Sequence, residues 1–279
     1  MLGAPCEQAA PLPIAFRAVD GRDDDATPVV GRTTPDRPVA RSFLVHALAG
    51  WVLAQLAGTV AVGVLLAAAT PTGTAVGAAV AAVLDGAGDP DVVAGLTVAT
   101  FALLVLPGWV VQLGSVASAT WAAGRPPGAV LGLRIRPVDI PVGLAAGVGA
   151  QVLVGVVYRV VDVDAGAPAS RLLAKADTPL AALGMAALLV GVAPFVEELV
   201  YRGLLQRGLA AFLGAPVALL ATAVLFALVH FQPVQFAGLL VAGLVFGVLA
   251  EWSGRLGPAI AAHVGFNATT VGWLLLTAP

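Results

Sequence analysis

The sequence predicts an all-α protein, a polytopic transmembrane helical bundle of about seven spans preceded by a disordered N-terminal tail. Three observations lead there. Of the 279 residues, 59% are hydrophobic and 11% charged, whereas a soluble domain carries about 25% charged residues. Mean hydropathy is +0.96. Eleven of the charged residues sit within residues 1–41, so the rest of the chain is nearly all apolar sequence. Its stretches are long enough to cross a bilayer as helix, which takes about 20 residues.

Residues 1–41 hold six prolines, the run Asp23-Asp24-Asp25 and no apolar periodicity. Such a segment cannot bury enough surface to offset its ordering entropy, so a disordered cytoplasmic tail is expected. It lacks the basic start and apolar run of a signal peptide. Cys6, the single cysteine, reads as incidental and has no internal disulfide partner. Residues 42–279 are expected to form one transmembrane helical domain.

Its spans are expected near 43–69, 92–119, 139–161, 180–213, 216–231, 234–252 and 257–277. His46 opens the first and reads as interfacial. Val76–Leu84 is apolar but too short to cross, and reads as an interfacial piece or a helix extension. Gly143/Gly147 and Gly243/Gly247 are spaced to let helices approach closely in lipid. A turn at Gly214-Ala215-Pro216 divides the fourth and fifth spans, since glycine ends helices and proline starts them.

Arginines set the expected orientation. Arg37, Arg41, Arg125, Arg134, Arg136, Arg202, Arg207 and Arg255 flank alternate ends of the spans, while the first loop holds Asp85, Asp89 and Asp91. The tail should then be cytoplasmic and the C-terminus exterior. A net charge of −2 offers no basic field for nucleic acid. The expected partners are the lipid bilayer and a peptide or membrane-protein substrate, with no nucleic acid.

Ionisable residues inside apolar spans are costly and are functional candidates by default. Here they cluster in about residues 180–270. The fourth span carries Glu197, Glu198 and Arg202, the fifth ends at His230, and the seventh carries His263 and Asn267. Glu198 and Arg202 stand four apart with the acid first, the favoured orientation for a helical ion pair. That pairing leaves Glu197 as the carboxylate with another job. His263 and Asn267, also four apart, share a helix face.

Depth supports convergence. Glu198 and His230 lie about 24 and 21 Å along their helices from the Gly214 turn, at 1.5 Å per residue. His263 and Asn267 lie shallower, about 9 and 15 Å from Gly257, a gap that tilt or a cytoplasmic extension of the fourth helix could close.

These residues carry a resemblance. Glu197-Glu198-Leu199-Val200-Tyr201-Arg202, Phe226-Ala227-Leu228-Val229-His230 and His263-Val264-Gly265-Phe266-Asn267 match, in order, the Glu-Glu-x-x-x-Arg, Phe-x-x-x-His and His-x-x-x-Asn motifs. The chain therefore resembles the CPBP family (Abi, CAAX-protease and bacteriocin-processing) of intramembrane proteases. The departures are the tail and the lack of a span after the seventh.

The resemblance implies an intramembrane endopeptidase. By it, Glu197 is the general base that activates water, and Glu198 and Arg202 are its support. His230 and His263 hold the water or a metal, and Asn267 helps to stabilise the oxyanion. Zinc is the candidate cofactor, with Glu197, His230 and His263 as its ligands. The His-Glu-x-x-His motif is absent from the sequence, so a metal-free glutamate–histidine site stands beside it as an alternative.

Prenylated CAAX proteins, bacteriocin precursors and regulatory membrane proteins all remain open as substrates. Two other classes of function fit the same cluster: an inactive scaffold or bacteriocin-immunity protein that binds hydrophobic peptides, and a proton-coupled carrier. One lysine beside 13 arginines suggests a high-GC bacterial source, and hence a bacterial plasma membrane.

Overall fold

The apolar stretches are helices in a computed structural model of the chain, which describes residues 35–67, 98–162, 178–230 and 232–277. Seven long helices follow one another: α1 (Arg37–Ala67), α2 (Val98–Ala122), α4 (Asp139–Val160), α5 (Pro179–Leu213), α6 (Ala215–Leu228), α7 (Phe236–Ser253) and α8 (Gly257–Thr277). A single turn of helix, α3 (Pro127–Val130), precedes α4. Each expected span overlaps one of these helices over the described residues.

The stretches Arg37–Val64, Asp139–Val160, Pro179–Leu213 and Pro233–Ser253 are long and apolar enough to cross a membrane, and α6 is a shorter apolar helix. Large apolar side chains cover the outside, among them Val45, Leu48, Val52 and Leu56 on α1 and Val152, Leu153 and Val156 on α4. Water would not tolerate such a surface, whereas lipid does. The protein is an integral membrane protein.

Helix α1 begins at Arg37, inside the segment expected to be a tail. The reason is a local cap: the Asp36 carboxylate accepts from the Val39 amide at 3.2 Å, and Pro38 sits in the first turn, where its missing N–H costs nothing. Residues 1–34, the Val76–Leu84 stretch and the acids of the first loop lie outside the described residues.

Close approach is built on glycine. A Cβ on Gly143 would stand 2.5 Å from the Pro258 carbonyl, and one on Gly147 would run into the Ala262 carbonyl. Opposite them, a Cβ on Gly265 would stand 2.7 Å from the Leu144 carbonyl. Helices α4 and α8 therefore touch backbone to backbone, and α8 carries two of the candidate site residues. Gly243 plays the same part between α7 and α6, 3.1 Å from Ala223.

His46 does more than sit at an interface. Its Nδ1 donates to the Ser42 carbonyl at 2.7 Å and its Nε2 meets Ser118 Oγ at 3.1 Å, which ties α1 to α2.

One end of the bundle is bound together by its loops. Leu256 donates to the Gly132 carbonyl at 2.8 Å, Gly257 to the Arg134 carbonyl at 3.1 Å, and Arg207 Nη2 to the Gly254 carbonyl at 2.9 Å. Arg255 grips Asp139, at the start of α4, through Nη2 at 2.6 Å and Nε at 2.9 and 3.0 Å. These contacts gather the 131–139 loop, the end of α5 and the α7–α8 turn at one level, together with the arginines of those segments. At the opposite end Tyr158 donates to the Val234 carbonyl at 3.2 Å and joins α4 to the start of α7.

Candidate active site

Helix α5 is the element that positions the carboxylates, and it is irregular on both sides of them. Its α-helical piece Ala193–Glu198 lies between π-helical pieces Ala187–Val192 and Leu199–Gln206. Such widened turns are rare and concentrate at functional sites. They re-aim side chains and release carbonyl groups from the ordinary ladder.

Glu198 and Arg202 form the expected ion pair, Oε1 to Nη1 at 2.9 Å, with neither side chain exposed. The second guanidinium nitrogen, Nη2, donates to the Gly243 carbonyl at 2.9 Å. The guanidinium carbon lies 4.7 Å from the centre of the Phe226 ring and 5.4 Å from that of Phe246. A fixed cation in this dry pocket offsets the Glu198 charge and anchors α5 to α7.

His263 joins the same group. Its Nδ1 donates to Glu198 Oε1 at 2.9 Å, and its ring stacks on Phe246 at 4.5 Å with 22° between the planes. The other ring nitrogen, Nε2, faces Glu197 Oε2 at 3.8 Å. That distance is too long for a direct hydrogen bond, yet one water can reach both atoms at ordinary lengths. Glu197 is 22% exposed where Glu198 is fully buried. Two adjacent carboxylates therefore have different surroundings: one is locked in an ion pair, the other faces accessible space.

His263 is too shallow only if Gly257 lies at the level of Gly214, and it does not. Leu256 to His263 are all buried, roofed by the 131–136 loop. The start of α8 is thus sunk into the bundle, which brings His263 level with Glu198.

His230 lies just beyond the end of α6, with Nδ1 donating to the Phe226 carbonyl at 2.6 Å. Its ring stands edge-on to Phe226 at 4.8 Å, and Phe226 in turn contacts His263 at 5.7 Å. Phe226 is the hinge of its motif: its carbonyl orients one histidine and its ring spaces that histidine from the other.

Asn267 points elsewhere. Its Nδ2 donates at 2.8 Å to the carbonyl of Leu189, in the first π-helical piece of α5. The structure thus brings Glu197, Glu198, Arg202 and His263 into one group, sets His230 beside it across Phe226, and places Asn267 one helical turn beyond His263.

Three residues of this site escape a reading of the sequence. Gly243 supplies a carbonyl, and Phe246 supplies the surface on which His263 stacks. No pattern marks Phe246, and Gly243 is marked only as a packing glycine of the Gly243/Gly247 pair. Tyr201 does carry a signal, since it stands four residues after Glu197 and so shares its helix face.

Zinc is the candidate cofactor, with Glu197, His230 and His263 as its expected ligands. Among the described residues no three His, Cys, Asp or Glu side chains form a group that could hold a metal ion. The Nδ1 hydrogen bonds of His230 to the Phe226 carbonyl and of His263 to Glu198 leave both Nε2 atoms as the donors such a site would use.

Residues 179–269 match the family model described as Rce1-like, Type II CAAX prenyl endopeptidase Rce1-like. That stretch, about a third of the chain, runs from the start of α5 into α8 and contains all six candidate residues. No curated protein and no solved structure shows a significant similarity to the chain. Residues 179–269 are thereby identified as an Rce1-like segment, in agreement with the CPBP and CAAX-protease resemblance carried by the three motifs.

Proposed function

We propose that the protein is an intramembrane endopeptidase that hydrolyses a peptide bond of a membrane-associated protein or peptide through a water activated by Glu197. The observation that carries this reading is the 3.8 Å separation of Glu197 Oε2 and His263 Nε2. With its Nδ1 hydrogen bonded to Glu198, His263 can offer a lone pair at Nε2. A water between the two groups donates one hydrogen to each, which leaves an oxygen lone pair directed outward as the nucleophile.

As that oxygen attacks the scissile carbonyl carbon, Glu197 takes its proton and later returns it to the leaving nitrogen. Glu198 and Arg202 hold His263 in position and do not touch the substrate. His230, oriented by the Phe226 carbonyl, keeps Nε2 available to contact the bound peptide. The substrate class follows from the surroundings: the carboxylate lies within an apolar bundle, so the scissile segment must itself enter from the bilayer. CAAX prenyl proteins are what the matched family model names, and they are one candidate within that class.

The arginines gathered at one end of the bundle support a cytoplasmic start of α1. Reporter fusions before Arg37 and after Pro279 test that orientation. The activity is tested by comparing the membrane proteomes of wild-type and Glu197→Gln cells. New protein termini that vanish in the variant support the peptidase. Identical termini at equal expression would overturn it in favour of a binding or scaffold role.

A further inference from the structure

We propose that Tyr201 is a catalytic residue whose hydroxyl donates a hydrogen bond to the oxyanion formed on the scissile carbonyl. This rests on the peptidase reading above and assigns a residue that the three motifs leave as a variable position.

The phenol is held firmly. Tyr201 is 7% exposed, its ring stands edge-on to Phe226 at 5.3 Å, and the Arg202 guanidinium carbon is 6.0 Å from its centre. It follows Glu197 by four residues on α5, and its hydroxyl is an electrostatic neighbour of the Glu197 carboxylate. Among the described residues the Tyr201 hydroxyl makes no hydrogen bond, and the buried Oε2 of Glu197 has no partner either. A rigid, unspent donor beside the proposed base is what a developing negative charge requires, because it needs no reorganisation at the moment of reaction.

The donor expected from the sequence is engaged. Asn267 spends one N–H on the Leu189 carbonyl, one turn beyond His263. Tyr201 lies on the helix of the base itself.

The step balances without any further reagent. The water oxygen forms its bond to the carbonyl carbon, and the carbonyl π pair moves onto oxygen, which accepts the Tyr201 O–H hydrogen bond. The water proton passes to Glu197. When the carbon–nitrogen bond breaks, the oxygen pair returns to the carbonyl and Glu197 delivers the proton to nitrogen. Tyr201 keeps its proton throughout.

The test uses the full chain in proteoliposomes with an internally quenched hydrophobic peptide drawn from a library that the wild type cleaves. The same peptide with a phosphinate in place of the scissile amide serves as a tetrahedral probe. Tyr201→Phe keeps the ring and removes one oxygen. It is expected to lower kcat by about 10²-fold or more, leave KM and the thermal midpoint unchanged, and weaken the phosphinate by a similar factor. Replacing Tyr201 by 3-fluorotyrosine, a stronger donor of nearly the same size, should hold kcat at or above wild type.

A kcat for Tyr201→Phe equal to that of an active wild type would overturn the proposal and leave the peptidase standing. So would equal weakening of the phosphinate and the ordinary peptide, or a 3-fluorotyrosine protein as slow as Tyr201→Phe. A folded wild type that cleaves no peptide of the library would overturn both.

Discussion

The Glu198 carboxylate and the Arg202 guanidinium meet at 2.9 Å with neither side chain exposed, and the same carboxylate oxygen accepts from His263. One oxygen thus neutralises a buried cation and fixes a histidine. Removing either partner strands a charge in an apolar bundle, which costs on the order of 3–5 kcal/mol.

Glu198→Gln and Arg202→Met are therefore each expected to lower the thermal midpoint in detergent sharply. The double variant Glu198→Leu/Arg202→Met should recover much of that loss, because a well-packed apolar pair can replace a buried ion pair. It should recover no turnover, since His263 would have lost its anchor. Additive losses in the double variant would show that the pair does not act as a unit.

Glu197 makes the contrasting case. It is partly exposed, and its buried Oε2 has no hydrogen-bond partner among the described residues. Glu197→Gln should abolish turnover while the thermal midpoint stays level or rises, because among the described residues the carboxylate has no hydrogen-bonded partner and its histidine neighbour stands 3.8 Å away. A collapse in stability would mean that Glu197 belongs to the buried scaffold instead.

The contrast between these carboxylates marks how far the sequence could be read. The Glu198–Arg202 pair was legible, because a spacing of four on a helix dictates the contact. The helices were legible because long apolar runs have few other ways to satisfy their backbones in lipid. The true level of His263 was hidden, because it depends on the 131–136 loop roofing Gly257, a contact between segments more than 100 residues apart. The partner of Asn267 was hidden too. It is a backbone carbonyl in a π-helical turn, and no side-chain pattern announces such a turn.

Glycine substitutions should separate packing from chemistry. A Cβ at Gly147 would overlap the Ala262 carbonyl, whereas a Cβ at Gly149 on the same helix meets nothing within 4 Å. Gly147→Ala must push α8 away from α4, an overpacking cost of about 1–3 kcal/mol. It should also lower turnover by displacing His263. Gly149→Ala is expected to be neutral, or stabilising by about 0.5–1 kcal/mol from helix propensity. Equal midpoints and equal activity for the two variants would contradict the backbone contact.

The Arg255–Asp139 pair tests the roof over α8. Asp139 is 1% exposed and accepts from Arg255 through both oxygens as well as from the Arg136 amide at 2.8 Å. Asp139→Asn should cost about 2 kcal/mol, the scale of a charge-assisted hydrogen bond to a buried group. Arg255→Lys should not rescue function as a conservative change would, because an ammonium cannot make the forked contact. Thermal unfolding of the wild type and the two variants checks both statements. An Arg255→Lys variant as stable as wild type would show that charge alone holds the loop.

Metal removal gives the last test, and donor geometry decides its expected result. A catalytic zinc takes three protein ligands and keeps a fourth position for water. Here Glu197 and His263 Nε2 face each other, with His263 Nδ1 bonded to Glu198. His230 contacts the Phe226 ring, as His263 does, with its Nδ1 held by the Phe226 carbonyl. A zinc shell would need Glu197, His263 Nε2 and His230 Nε2 together, and among the described residues no such group of three is formed. Glu197 would then be a ligand, and its role as base would pass to another group. A chelator is therefore expected to leave the turnover of the detergent-solubilised protein unchanged, and elemental analysis should find far less than one zinc per chain. Near-stoichiometric zinc that is lost together with activity in both His230→Ala and His263→Ala would instead show that α6 moves inward to make Glu197 a ligand.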